Sequence, residues 1–359
     1  MMRRVHSEEF FRVGPEHKTL SLEDLESFSD QYITPNVERN QIDEDEFANV
    51  YDSSVIEFDK KKVEGRKLDF ARALQASEMT DEERETQKKL DILAREFEAI
   101  CSDHTILSRG FGMKRGEIRA QSTSDFDDIM RKIDLVLEFP QQKNPEAKPG
   151  NFAVGVDVTI SKSGHRKKFR DLYERFKTQS LTEIKYYREA NDGLDGTRLP
   201  IMGAVKIPRY IINAKPEELM EMIEGWKMWR DNFNSATTST EKNELLKKTN
   251  LTSNKIWYRI LYQMEKQADT FYRYFKEKDP AASEIYRQNY MMFLKMRFNM
   301  VMKLISQNED WHMKMTTIQS EKNEKDRQAR FDYLRNDVHQ TVKGDDMGKL
   351  MAVIRNQVY

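Results

Sequence analysis

One cysteine, Cys101, stands in a chain of 359 residues, so no intrachain disulfide can form. It closes an amphipathic stretch and reads as a reduced, half-buried residue before a catalytic thiol. The lack of cysteine pairs points to a reducing compartment. No apolar run of ~18 residues occurs, so no membrane span is expected. The opening MMRRVHSEEFFRV lacks the apolar segment of a signal peptide, and a cytoplasmic location is expected. An excess of either charge is also missing: 60 Lys and Arg face 61 Asp and Glu, for a net charge of -1. Any basic surface for nucleic acid must therefore be local. The motif gaps are informative too. No GK[ST] loop, G-x-S-x-G elbow or kinase signature appears. His104, His165, His312 and His339 lie too far apart in sequence for a zinc site.

Hydrophobic residues make up 38% and charged residues 34%, with a mean hydropathy of -0.82. That is polar for a globular chain, so part of it is expected as solvated helix or disordered tail. Three regions follow. Residues 1–78 read as an acidic, weakly ordered arm of short helical pieces, with isolated apolar pairs such as Phe10-Phe11 and Val55-Ile56, contributing little to the central core. Residues 79–215 read as an α/β unit. Residues 216–359 read as a helical domain with a charged tail.

In the α/β unit, Thr80 and Glu83 make a capping-box pattern that opens a helix running to about Cys101. Leu93, Phe97 and Ile100 share its apolar face, with Glu96 on the flank. KIDLVLEF (132–139) and FAVGVDVTI (152–160) have the composition of buried strands, joined by a Pro/Gly/Asn linker. The segment GMKRGEIRA ahead of them suits an outer strand of a meander. Phe169, Leu172 and Phe176 mark a helix over 166–179. LTEIKYY (181–187) and VKIPRYIIN (205–213) read as further strands of one sheet, Pro208 favouring an edge or a bulge. Beyond Pro216 the periodicity is helical. Segment 283–315 is apolar nearly all round, as in a buried bundle helix, and 319–335 is charged enough to be a solvated one.

Carboxylates interrupt these apolar strands. Asp134 and Asp157 sit inside two of them, and Glu183 and Lys185 share a face of the third. A carboxylate in a buried sheet is costly unless paired, solvated or bound to a cation. Phosphodiester hydrolysis gives such a set a purpose, because carboxylates hold hard cations that polarise phosphate and supply hydroxide. A nearby lysine steadies developing charge.

At these residues the sequence resembles the PD-(D/E)XK nuclease superfamily, whose core is a helix, a three-strand meander, a helix and a strand. The resemblance covers roughly residues 80–213. It implies a small mixed sheet with flanking helices of restriction-endonuclease-like type, followed by an all-α region. It places Asp134 as the first Asp and Asp157-Val158-Thr159 at the (D/E)xK motif, with Thr159 where lysine is usual. Lys185 would be a migrated lysine, Glu183 would complete or tune the site, and Glu96 would be an extra metal-side glutamate. Asp134, Asp157, Glu183 and Lys185 would then be catalytic, with Mg²⁺ or Mn²⁺ held by Asp134, Asp157 and Glu96. A second alignment pairs Asp157 directly with Glu183-x-Lys185.

Around this set, Asp128 in the acidic turn SDFDD is within sequence reach of the same pocket. The basic run His165, Arg166, Lys167 and Lys168 opens a helix and suits a phosphate backbone, DNA ahead of RNA. It equally suits a solvated helix start. Two other readings accompany the nuclease. One is a non-catalytic interaction protein, or homo-oligomer, docking through its helical region. The other is a nucleic-acid binder with a degenerate nuclease fold. Chains rich in charge produce carboxylate patterns readily, and edge strands carry charges against aggregation.

Overall fold

The computed structural model describes residues 42–343 apart from 78, 103–106, 109, 112, 114–117, 140–152, 161, 189–201 and 241–250. The Pro/Gly linker and most of the segment GMKRGEIRA lie outside that set. Among the described residues two helices precede the α/β unit, α1 (Glu44–Phe47) and α2 (Ser53–Gln75). Then follow α3 (Asp81–Ser102), β1 (Arg119–Ser122), a π-helical turn (Asp127–Arg131), β2 (Leu135–Glu138), β3 (Ala153–Thr159), α4 (Lys162–Phe176), β4 (Thr182–Arg188), β5 (Met202–Ile207) and β6 (Arg209–Asn213). The described residues beyond β6 are mainly helical: α5 (Pro216–Ser235), α6 (Leu251–Phe275), α7 (Pro280–Gln307), α8 (Glu309–Gln319) and α9 (Glu324–Lys343).

The chain is mixed α/β, with a four-stranded sheet in the order β1-β2-β3-β6. β1, β2 and β3 form an antiparallel meander, and β6 runs parallel to β3 after the crossover through α4. The capping box forms as the sequence indicates: Thr80 N–H donates to Glu83 at 2.9 Å, and Glu83 N–H donates back to Thr80 Oγ1 at 3.2 Å. Phe169, Leu172 and Phe176 are buried in the main core, as the helical spacing requires.

The expected strand 205–213 is in fact two strands, and the expectation of one sheet is corrected accordingly. Pro208 has no N–H to donate, and the ladder breaks there. β5 turns to pair with β4 in a separate two-stranded sheet, while β6 joins β3. The arm also departs from expectation, since α2 is a continuous helix of 23 residues. It stays outside the main core. Ile56 and Val63 instead join Ile42, Phe47, Phe126 and Tyr186 in a satellite cluster. Cys101 is fully buried, not half-buried, and burial pushes its thiol pKa up.

The main core runs without interruption from Ile92 on α3 to Val342 on α9. The helical region is therefore packed into the α/β unit. α7 buries one face, through Tyr286, Phe293, Met296 and Met300, while Met291 and Phe298 are exposed. It stops at Asn308, whose side chain caps α8 by accepting from Trp311 N–H at 3.0 Å. The charged tail packs as well, with Leu334, Val338 and Val342 buried.

Among the described residues β6 has no strand on its outer side. Two glutamines of α6 stand in for one. Gln267 accepts from Ile211 N–H at 2.9 Å and donates to Ile211 C=O at 2.7 Å. Gln263 does the same for Asn213, at 2.7 and 2.8 Å. The edge is thus closed by side-chain amides.

Candidate active site

Every residue of β3 is buried. Val154, Val156 and Val158 enter the main core, so the pleat turns Asp157 to the opposite face. The β2–β3 register pairs Leu135 with Val156, which sets Asp134, one residue ahead of β2, across from Asp157. Asp134 N–H donates to Val156 C=O at 2.9 Å, and its carboxylate accepts from Val158 N–H at 2.6 Å. The two aspartates of the sequence argument are therefore cross-strand neighbours.

Two further carboxylates meet them. Asp128, on the exposed side of the π-turn, shares a hydrogen bond with the Asp134 carboxyl. Glu98 of α3 interacts electrostatically with Asp128 and Asp157. Burial, then repulsion from Asp128 and Asp157, outweighs Arg95 and Lys168 and pushes the Glu98 carboxyl up to about 8. Burial, then repulsion from Asp157, Glu98 and Asp128, holds the Asp134 carboxyl well above the usual carboxylate range.

Cations answer this charge. Lys168 of α4 donates to Asp157 Oδ1 and to Val158 C=O. Arg209, at the start of β6 and 1% exposed, donates from Nη2 to Asp157 Oδ2. Burial works against the charge on Lys168, but Asp157 and Asp134 more than offset it and raise its pKa. Lys168 is thus a cation throughout the neutral range. Its side chain keeps 32% of its surface open, against 1% for Asp157.

The structure does not bring all the sequence candidates here. Lys185 turns the other way: its Nζ pairs with Asp59 of α2 and lies 5.2–5.5 Å from the ring centres of Tyr51, Phe126 and Tyr186. Glu183 pairs with Arg131 at 3.1 Å. The cause is topological, since both sit on the β4–β5 hairpin and not on the meander. Glu96 is fully buried and has Lys227 as its charged neighbour; neither of its oxygens has a hydrogen-bond partner among the described residues. In place of Glu96, Glu98 is the α3 carboxylate that reaches the cluster. Arg166 and Lys167 are exposed, Lys168 turns inward, and His165 lies within α4 with its side chain outside the described set. Sequence reasoning placed Lys168 among phosphate contacts and missed Glu98 and Arg209. A carboxylate three residues from Arg95 on the polar side of α3 was the available signal for Glu98.

Among the described residues no three His, Cys, Asp or Glu side chains form a ready metal-ligating group. Both Asp157 oxygens are engaged by Lys168 and Arg209. The donor set nonetheless fits a hard divalent cation in kind. It offers carboxylates only, and their mutual repulsion is what a cation would relieve. No protein-family model, curated protein or solved structure matches the chain, so the case for its chemistry rests on the site itself.

Proposed function

We propose that this chain is a divalent-metal-dependent nuclease, a divergent relative of the PD-(D/E)XK enzymes. One observation carries the reading. Asp134, Asp157, Asp128 and Glu98 converge with a lysine on a helix–meander–helix–strand framework. Lys168 and Arg209 pair with Asp157, yet the cluster still gathers four mutually repelling carboxylates against these two cations. Asp134 and Asp157, with Glu98 and Asp128, would hold Mg²⁺ or Mn²⁺. Such an ion, when bound, polarises phosphate and lowers the pKa of its water.

The chain's own residues have distinct tasks in this mechanism. Lys168, which stays protonated, places positive charge where the phosphate oxygens gain negative charge, and serves neither as a base nor as a ligand. It takes the part that the sequence argument gave to Lys185. Arg209 fixes the orientation of Asp157 from beneath. Exposed Arg166 and Lys167, on the same helix as Lys168, suit the phosphates of the flanking strand.

The test is cleavage of single- and double-stranded DNA and RNA with Mn²⁺. Asp157→Asn and Lys168→Ala are each expected to lose about 100-fold or more in rate, while Lys185→Ala retains activity within a few-fold. Activity that survives Lys168→Ala and falls with Lys185→Ala would refute the assignment. Absence of both cleavage and Mn²⁺ binding would leave the helical interaction protein as the reading.

A further inference from the structure

A second feature adjoins the π-turn, at Phe126 and Arg131. An open cavity of about 690 Å³ separates α2 from the β4–β5 hairpin. That volume is in the range of ligand sites. Its walls carry three aromatic rings, Tyr51, Phe58 and Phe126, and three cations, Lys62, Arg131 and Lys185. Asp59 and Glu183 answer two of the cations, so three positive charges against two negative leave the cavity one positive charge in excess. Phe58 is 58% exposed, and Lys62 Nζ sits 4.7 Å from its ring centre. Arg131 Nε is buried and has no hydrogen-bond partner among the described residues.

We propose that this cavity is a nucleotide subsite that grips an unpaired stretch of the strand cleaved at the carboxylate cluster. The inference rests on the nuclease reading for the identity of the strand. Open rings beside cations suit a base stacked on an aromatic face with its phosphate on Lys62 and Arg131. A duplex keeps its bases stacked on one another, so only an unpaired base can reach Phe58. Position supports the link to the cluster. Arg131 ends the same five-residue π-turn whose Asp128 is bonded to Asp134. Arg175 of α4 holds that turn by donating to Arg131 C=O at 3.1 Å. The cavity and the carboxylates are therefore joined through one turn, Arg131 lining the former and Asp128 belonging to the latter.

The experiment is fluorescence anisotropy of a labelled single-stranded oligonucleotide and its duplex, on the full chain in EDTA, where cleavage cannot interfere. Phe58→Ala and Lys62→Glu are each expected to weaken single-strand binding by about 5-fold or more and leave duplex binding unchanged. Phe58→Trp, which keeps a ring, should retain it. Both substituted side chains are exposed, and unchanged thermal melting checks the fold. Single-strand affinity that is unaltered in both variants overturns the subsite even if Mn²⁺-dependent cleavage is found. Loss of affinity with Phe58→Ala upholds it even if no cleavage is found, and then only the nuclease reading fails. Displacement of the oligonucleotide by micromolar nucleoside monophosphate would overturn the strand in favour of a free nucleotide.

Discussion

Gln267 offers the sharpest test of how the helical region supports the site. Gln267→Leu keeps the side-chain volume close and removes both the amide oxygen and the amide nitrogen. Ile211 is 0% exposed, so its N–H and C=O would both be left without partners. Each orphaned buried group costs ~1–3 kcal/mol, so the two together cost ~2–6 kcal/mol, and the apolar leucine returns ~1–2 kcal/mol, for a net loss centred on ~2.5 kcal/mol. Gln263→Leu removes the same pair of bonds from Asn213, but Asn213 is only half-buried and water can replace them. Its loss should be ~1–2 kcal/mol. The order, Gln267 above Gln263, is the discriminating quantity. Urea denaturation gives the totals, and native-state hydrogen exchange at the Ile211 and Asn213 amides gives the local effect. β6 begins with Arg209, so exchange should also quicken at Val158, beside Asp157. Two variants within ~0.5 kcal/mol of the native chain, with Ile211 protection unchanged, would refute the idea that α6 completes the sheet.

Three further outcomes are expected. Burial raises the Glu96 carboxyl from 4.5 to about 8, against the opposing pull of Lys227. A raised carboxyl stays protonated in the folded chain while the unfolded chain ionises, so the folded state loses stability as pH climbs from about 4.5 to about 8. Glu96→Gln should therefore add ~3 kcal/mol at pH 7 and little at pH 4.5 in urea melts; a gap that does not grow with pH would sink the argument. Gly110→Ala puts a methyl 2.6 Å from the Trp257 ring, which Phe97 and Phe111 also pack against. It should cost ~1–3 kcal/mol by calorimetry, and a neutral result would mean the ring is free to shift. Asp59→Ala strips the acceptor of both Lys185 Nζ and Tyr186 Oη. It should make residues 42–77 sensitive to limited proteolysis while α6 and α7 stay resistant, and equal resistance throughout would show that Asp59 does not hold the arm.

The parts of this molecule that could be read from sequence are those governed by periodicity. The apolar runs around Asp134 and Asp157 gave strands because a buried strand has no other way to satisfy both faces, and the interrupting carboxylates stood out for the same reason. The parts that could not be read depend on how elements meet. Glu96 and Glu98 are two residues apart, about 200° round a helix. One faces Lys227 and the other the aspartates, and only the packing of α3 decides which. Gln263 and Gln267 carry no hydropathy signal, since a polar residue on a helix reads as surface until a strand edge is laid against it. Glu183-x-Lys185 matched the motif in letters, but its strand β4 pairs with β5 in the separate two-stranded sheet, and no count of spacings reveals that. Lys168 shows the general point. β3 carries Thr159 two residues after Asp157, and the charge beside that aspartate comes from α4. A lysine has a long, flexible stem, so its ammonium can be delivered from any backbone that passes nearby. An aspartate has a short one, so Asp157 on β3 and Asp134 just ahead of β2 are placed by the backbone that carries them. In the proposed mechanism the aspartates are therefore fixed by the sheet, while the position of the lysine is free to vary in sequence as long as its head group arrives at the same place.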